Sequence, residues 1–179
     1  SSGWRASKAA LSGDGQVVVA SVQTDDPNID PSPWTLAGFQ RDAATGQWGR
    51  MALGPADDPA WSFTDAEYST GTVISDIALS HDGRRLAVGL PGMDHPLMGT
   101  TDVGGVALFQ RDAGTWQPMW QQRSPYPHYE QRFGATVGLS ADGSVLAVGA
   151  PGDREASRLG EARQPVPDDN PGRHAERQV

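Results

Sequence analysis

At 179 residues, with a net charge of −8 and no cysteine, the chain is long enough to form one domain with a sizeable core. It has no basic stripe to displace counterions, which argues against a nucleic-acid partner, and its negative charge disfavours an anionic membrane surface. Disulfides and thiolate metal sites are ruled out, and no apolar stretch approaches the ~18 residues of a spanning helix, so no membrane insertion is expected.

The chain opens Ser1-Ser2-Gly3, with neither methionine nor a signal-like segment, as expected of an excised fragment or a processed form. Residues 5–12 and 16–22 are predicted strands. Between them stands Leu11-Ser12-Gly13-Asp14-Gly15, whose Asp-Gly pair is a hairpin-turn signal. Next comes Asp25-Asp26-Pro27-Asn28-Ile29-Asp30. The oxygen-bearing side chains of Asp25, Asp26, Asn28 and Asp30 form a set that a calcium ion would accept, or else a solvated acidic loop stiffened by Pro27 and Pro31. Strands over 34–41 and 47–53 follow, joined by a polar turn containing Gly46.

The second unit repeats this layout. Strands are predicted near 72–80, 85–90, 104–111 and 115–121, with Leu79-Ser80-His81-Asp82-Gly83 at the first turn. Phe109-Gln110-Arg111-Asp112 echoes Phe39-Gln40-Arg41-Asp42, and Trp116 stands where Trp48 does. The two tryptophans are expected to pack between strands or blades, and Trp120 to share a face with Trp116. The phrase returns as Leu139-Ser140-Ala141-Asp142-Gly143. The run Val145 to Val148 then reads as a buried strand, ended by Gly149-Ala150-Pro151.

A phrase repeated at this spacing marks a repeated supersecondary unit. Each unit reads as four antiparallel strands, the pattern of a propeller blade. A β-sandwich also has many short strands, but gives no reason for three copies of one phrase. The expected fold is therefore all-β: a partial β-propeller-like array of four-stranded antiparallel blades with an irregular C-terminal tail. Residues 1–152 hold the blades (about 1–60, 61–128 and an incomplete 129–152). An open arc of this kind leaves edge strands and an apolar flank exposed, which predicts marginal stability or self-association.

Past Gly152 the pattern stops. Residues 153–179 contain no aromatic residue and are punctuated by Pro165, Pro167 and Pro171. A short helix is predicted over 154–163 with Asp153 as its N-cap, and disorder beyond it. An out-of-frame continuation would also produce so abrupt a loss of pattern.

Catalytic patterns are weak. His81, His95, His128 and His174 do not stand at metal-ligand spacing. Ser80 and Ser140 lack a nucleophile-elbow frame and read as turn residues. Asp57 and Asp58 sit between Pro55 and Pro59, where solvated turn acids are expected. No catalytic residue is assigned. For ligand binding the candidates are Trp34, Trp61, Asp94, His95, Tyr126 and Tyr129, in or near connections. Aromatic loop residues with polar neighbours suit peptide or glycan recognition, though such residues also cover cores.

The third unit, Phe133-Gly134-Ala135-Thr136-Val137-Gly138-Leu139-Ser140-Ala141-Asp142-Gly143 through Gly149-Ala150-Pro151, resembles the FG-GAP repeat of integrin-α-type β-propellers, in its calcium-poor form. The resemblance covers roughly residues 5–153. The second unit has Val73-Ile74 in place of Phe-Gly, and the first has Arg5-Ala6. Calcium-binding members carry an Asp-rich loop in the first hairpin. Here that loop keeps one carboxylate (Asp14, Asp82 or Asp142), so the calcium site is not carried over and each aspartate is expected to be a turn former.

The resemblance implies a non-enzymatic, extracellular or cell-surface adhesion or ligand-binding module, a part of a larger propeller, with a protein or glycan ligand. A propeller portion of a glycan-processing hydrolase or lyase is the alternative from another class, and a structural spacer is the third. Binding is expected to place aromatic and polar residues of the loops 23–34 and 91–103 on one rim.

Overall fold

The computed structural model describes residues 4–24, 34–51, 53, 73–94, 101–112, 114–125, 127, 129–153 and 164–165. Every regular element among them is a β-strand: β1 (Trp4–Leu11), β2 (Val17–Thr24), β3 (Trp34–Arg41), β4 (Trp48–Met51), β5 (Asp76–Leu79), β6 (Arg85–Leu90), β7 (Gly105–Asp112), β8 (Thr115–Arg123), β9 (Thr136–Leu139), β10 (Val145–Gly149) and β11 (Gln164–Pro165). They form three sheets in the orders β1-β2-β3-β4, β5-β6-β7-β8 and β11-β10-β9. All pairings are antiparallel between chain neighbours. β5 lies against both β1 and β9, so the first strands of consecutive sheets are neighbours. This is a partial propeller: three consecutive blades with their first strands innermost.

Equivalent residues point the same way in each blade. Leu79, Leu86, Val88, Leu90, Phe109 and Trp116 of blade two pack with Ala10, Val17, Val19, Leu36, Met51 and Leu53 of blade one. Leu139, Leu146, Val148 and Ala150 of blade three, with Phe133, pack against Ala78, Ala87, Val106, Leu108, Met119 and Trp120 of blade two. Each blade thus has a leading face turned to its predecessor and a trailing face turned to its successor. Both faces of β6 and β7 are covered, which is why Leu86 to Leu90 is an unbroken buried run. Each large apolar side chain sealed in these seams contributes about 1.5–3 kcal/mol. The seam between blades one and two is the larger of the two among the described residues.

The predicted strands match closely, but the run Val145 to Val148 is not buried throughout, since Leu146 is buried while Val145 and Ala147 are exposed, and three further corrections follow. First, Trp116 is fully buried whereas Trp48, at the equivalent position, is 46% exposed. Trp48 lies on the leading face of blade one, where no blade packs among the described residues. Second, Trp116 and Trp120 do not share a face. A β-bulge leaves Met119 unpaired between Pro118, opposite Phe109, and Trp120, opposite Leu108. The extra residue turns Trp120 toward blade three while Trp116 stays toward blade one. Third, Gln164 and Pro165 pair with Leu146 and Val145 as a short third strand of blade three, where disorder was expected. The predicted helix over 154–163 lies outside the described residues.

The Phe-Gly of blade three has a physical role. Phe133 fills the seam to blade two. Gly134 has φ of +88°, and a Cβ there would stand 2.1 Å from the Gly105 carbonyl oxygen. Only glycine combines that conformation with so close a backbone approach. In blade two the apolar anchor moves on by one residue: Val73 is exposed and Ile74 is buried.

Candidate functional site

Strand order separates the chain's connections into two ends. At one end lie the tight hairpins 12–16, 42–47, 80–84, 113–114 and 140–144. The other end is where β2, β4, β6 and β8 finish; of the connections that follow them, 53, 73–75, 91–94, 101–104, 124–125, 127 and 129–135 are described.

The tight end is a structural device. In each copy of the phrase the serine hydroxyl donates to the aspartate Oδ1 at 2.6 Å, in the pairs Ser12–Asp14, Ser80–Asp82 and Ser140–Asp142. The same Oγ accepts from the N–H five residues on, that of Val17, Arg85 or Val145, at 2.9 Å. Each aspartate accepts from the N–H two residues on, and Gly15, Gly83 and Gly143 take the left-handed conformation. The Ser140 hydroxyl, followed by the Ser144 N–H and hydroxyl, pulls the Asp142 carboxyl down to about 2. Burial pushes Asp82 up, yet the Ser80 hydroxyl, the Arg84 N–H and the Arg84 charge together leave it below the ordinary carboxylate value. Backbone bonds also link the turns across blades: the Asp14 N–H donates to the His81 carbonyl and the His81 N–H to the Ala141 carbonyl, both at 2.8 Å. Sequence reasoning found the aspartates as turn formers and Ser80 and Ser140 as turn residues, but missed the paired hydrogen bonds of the serines and this ladder. The signal was present in the fixed serine two residues before each aspartate.

The long-loop end is the candidate site. Segment 101–104 runs beside 130–133, with a parallel bridge between Gly104 and Phe133. The Glu130, Arg132 and Phe133 N–H groups donate to the carbonyls of Thr101, Asp102 and Val103, and the Gly152 N–H donates to that of Gln131. The loops after β6, β8 and β10 are thereby tied together at the junction of blades two and three. Asp102, Glu130 and Arg132 have φ of 54°, 56° and 56°. Such conformations cost non-glycine residues about 1–3 kcal/mol each. The exposed Tyr129, Glu130 and Arg132 alternate with the buried Gln131 and Phe133. The Gln131 Oε1 is buried and has no hydrogen-bond partner among the described residues. The rim therefore offers a phenol, a carboxylate and a guanidinium on a fixed backbone.

The predicted ligand-binding residues fare differently. Tyr129 stands on this rim, 60% exposed. Asp94 also belongs to this end, but its carboxylate accepts the Asp102 N–H at 3.0 Å and so clamps the loop. Trp34 opens β3 and is half-buried against the seam between blades one and two, so it covers core. Trp61, His95 and Tyr126 lie outside the described residues, as do Asp25, Asp26, Asn28 and Asp30 and with them the candidate calcium loop. Among the described residues no three His, Asp or Glu side chains cluster as metal ligands would. Glu130, Gln131 and Arg132 were missed because their importance comes from backbone conformation and burial, which no motif marks.

No family model matches the chain, and no curated protein matches it. Solved structures do. The chain is similar to a structure of KlAtg21 in complex with the coiled coil of AgAtg16 (TM-score 0.50, 15% identity, covering 83% of this chain and 37% of that one). It is also similar to Kuenenia stuttgartiensis hydrazine synthase (TM-score 0.48, 13% identity, 82% and 42%). A third likeness is to the β-propeller domain of Myceliophteria thermophila Cps50 (Swd1) (TM-score 0.40, 11% identity, 83% and 51%). The chain thus spans between about a third and a half of the length of these relatives. At such identities the likeness speaks to fold alone.

Proposed function

We propose that the chain is a non-enzymatic ligand-binding module of the adhesion type, working as part of a larger propeller. The FG-GAP resemblance supports an extracellular or cell-surface setting. The ligand docks on the long-loop rim at the junction of blades two and three, where Tyr129, Glu130 and Arg132 meet it. One observation carries this reading. Three non-glycine residues, Asp102, Glu130 and Arg132, are held in the left-handed region at one junction, and strain of this kind collects at binding sites. KlAtg21 is recorded in complex with a coiled coil, which puts a protein ahead of a glycan as the ligand class to test.

The test is a binding screen against peptide-display and glycan arrays, followed by affinity measurements on variants. Tyr129→Ala and Arg132→Ala should each weaken binding at least tenfold while the melting temperature stays within a few degrees. Thr45→Ala, at the tight end, should leave affinity unchanged. Equal affinity in all three variants, or turnover of a bound glycan, overturns the proposal.

A further inference from the structure

The Phe-Gln-Arg-Asp phrase shared by blades one and two has no part in the long-loop rim. Its second copy lies at the tight end, on the seam to blade one. Arg111 stands directly opposite Trp116 in the β7–β8 ladder. The Arg111 Nη2 donates to the Gln40 Oε1 of blade one, so the guanidinium is held across the seam. Arg84 is its other neighbour: the Arg111 N–H donates to the Arg84 carbonyl at 2.7 Å. Burial, and then the Arg84 charge, press the Arg111 guanidinium below its ordinary value. Asp82 answers part of the Arg84 charge, but no carboxylate among the described residues is set against Arg111. Two N–H groups on these opposed residues, Arg111 Nε and Trp116 Nε1, are buried without a partner among the described residues. Trp116 is 0% exposed. Buried donors are nearly always paired, so two in one corner call for an acceptor.

We propose that this corner binds a small oxyanion, a phosphate or carboxylate group, between the guanidiniums of Arg84 and Arg111. The residue types fit. A guanidinium is a planar fork of N–H donors that matches the oxygens of either group, and an indole N–H donates without offering an acceptor in return. Gln40 holds one edge of Arg111 and leaves its other donors to the anion. A shared counter-charge also relieves the repulsion between the two arginines. Entry is beside Arg84, which is exposed, and past Arg111, which is half-buried. A swing of the Arg111 side chain turns its Nε toward the anion. Only blade two carries the arginine pair. At the position of Arg84, blade one has Gln16 and blade three has Ser144. Arg41 of blade one repeats Arg111, yet its Nε donates back to the Gly46 carbonyl of its own hairpin at 3.3 Å. The proposal does not depend on the ligand of the long-loop rim.

Thermal unfolding of the full chain, followed by circular dichroism, tests it. Inorganic phosphate and acetate are each titrated against chloride at matched ionic strength. The wild-type midpoint should rise and saturate with at least one of the two, since an anion bound only by the folded chain stabilises it. The apparent affinity should fall at least tenfold in Arg84→Gln and in Arg111→Lys, which keeps the charge but loses the fork. Arg41→Gln should bind as the wild type does. The indole N–H signal of Trp116 in a nitrogen-15 spectrum supplies a local readout: it should move during the titration in the wild type and stay in place in Arg84→Gln. Should Arg111→Lys unfold, Arg84→Gln carries the test, because Arg84 is exposed. Whichever anion binds more tightly identifies the group that the corner takes. Salts excluded from protein surfaces stabilise folded chains in general. A rise that is equal in the wild type and Arg84→Gln therefore overturns the proposal, as does a midpoint no higher in phosphate and acetate than in chloride, or a Trp116 signal that never moves.

Discussion

A hydroxyl that donates to one partner and accepts from another strands both when it is removed. Ser80 is fully buried, donates to Asp82 and accepts the Arg85 N–H. Ser80→Ala should therefore lower stability by about 2 kcal/mol, read as a shift in the urea midpoint. Asp142 carries the acid side of the same network. Its carboxyl is held at about 2 by Ser140 and Ser144, below the ~3.9 of an unfolded aspartate. The folded-state value is depressed, so its contribution is complete above pH ~4 and is lost as the pH falls through about 2. Asp142→Asn should remove that component, flattening the stability profile between these values in an acid titration followed by circular dichroism. The aspartates were legible in the sequence because Asp-Gly is a turn signal. The serine's double role was not, since it depends on an N–H five residues away that only the closed hairpin delivers. Gly134→Ala tests the close approach to Gly105. With φ at +88° and no room for a Cβ, it should cost about 2 kcal/mol or more of stability, read from the same midpoint shift.

At the scale of elements, the strands were readable almost throughout, because alternation and turn chemistry are local. What the sequence hid is which face of a strand meets which neighbour. Trp48 and Trp116 are the same residue in the same register, yet one is half exposed and the other sealed; the difference lies in the presence of a preceding blade. Trp116→Ala should cost about 3–5 kcal/mol, whereas Trp48→Ala should stay within about 0.5 kcal/mol. Paired chemical denaturation curves check both. The bulge at Met119 was equally hidden. Spacing alone put Trp116 and Trp120 on one face, and one unpaired residue separates them. Sliding a side chain to the opposite face is the ordinary consequence of a one-residue slip; here the slip gives each of blade two's seams a tryptophan. The rim residues Glu130, Gln131 and Arg132 escaped notice for a related reason, because left-handed conformation and burial of a glutamine are outcomes of loop packing.

For the whole molecule, the two seams are unequal. Blade two shares the larger core cluster with blade one and the smaller with blade three, and the third strand of blade three is only Gln164 and Pro165. In an array whose units touch only their neighbours, stability is a sum of unit and seam terms, so the weaker seam sets where cooperativity breaks. Hydrogen exchange under native conditions should resolve two tiers. Amides of β9 and β10 should exchange through a cheaper opening, with those of β2, β6 and β7 protected up to global unfolding. A single tier for all of them would mean that the two seams unfold as one. The bond between the His81 N–H and the Ala141 carbonyl crosses that weaker boundary. Amide and carbonyl belong to the backbone, so no side-chain substitution deletes the bond short of proline at position 81. With the backbone bonds from 130–133 to 101–103 at the opposite end, it is thus a latch on a swinging door, one of those that fix where blade three comes back to rest after each opening.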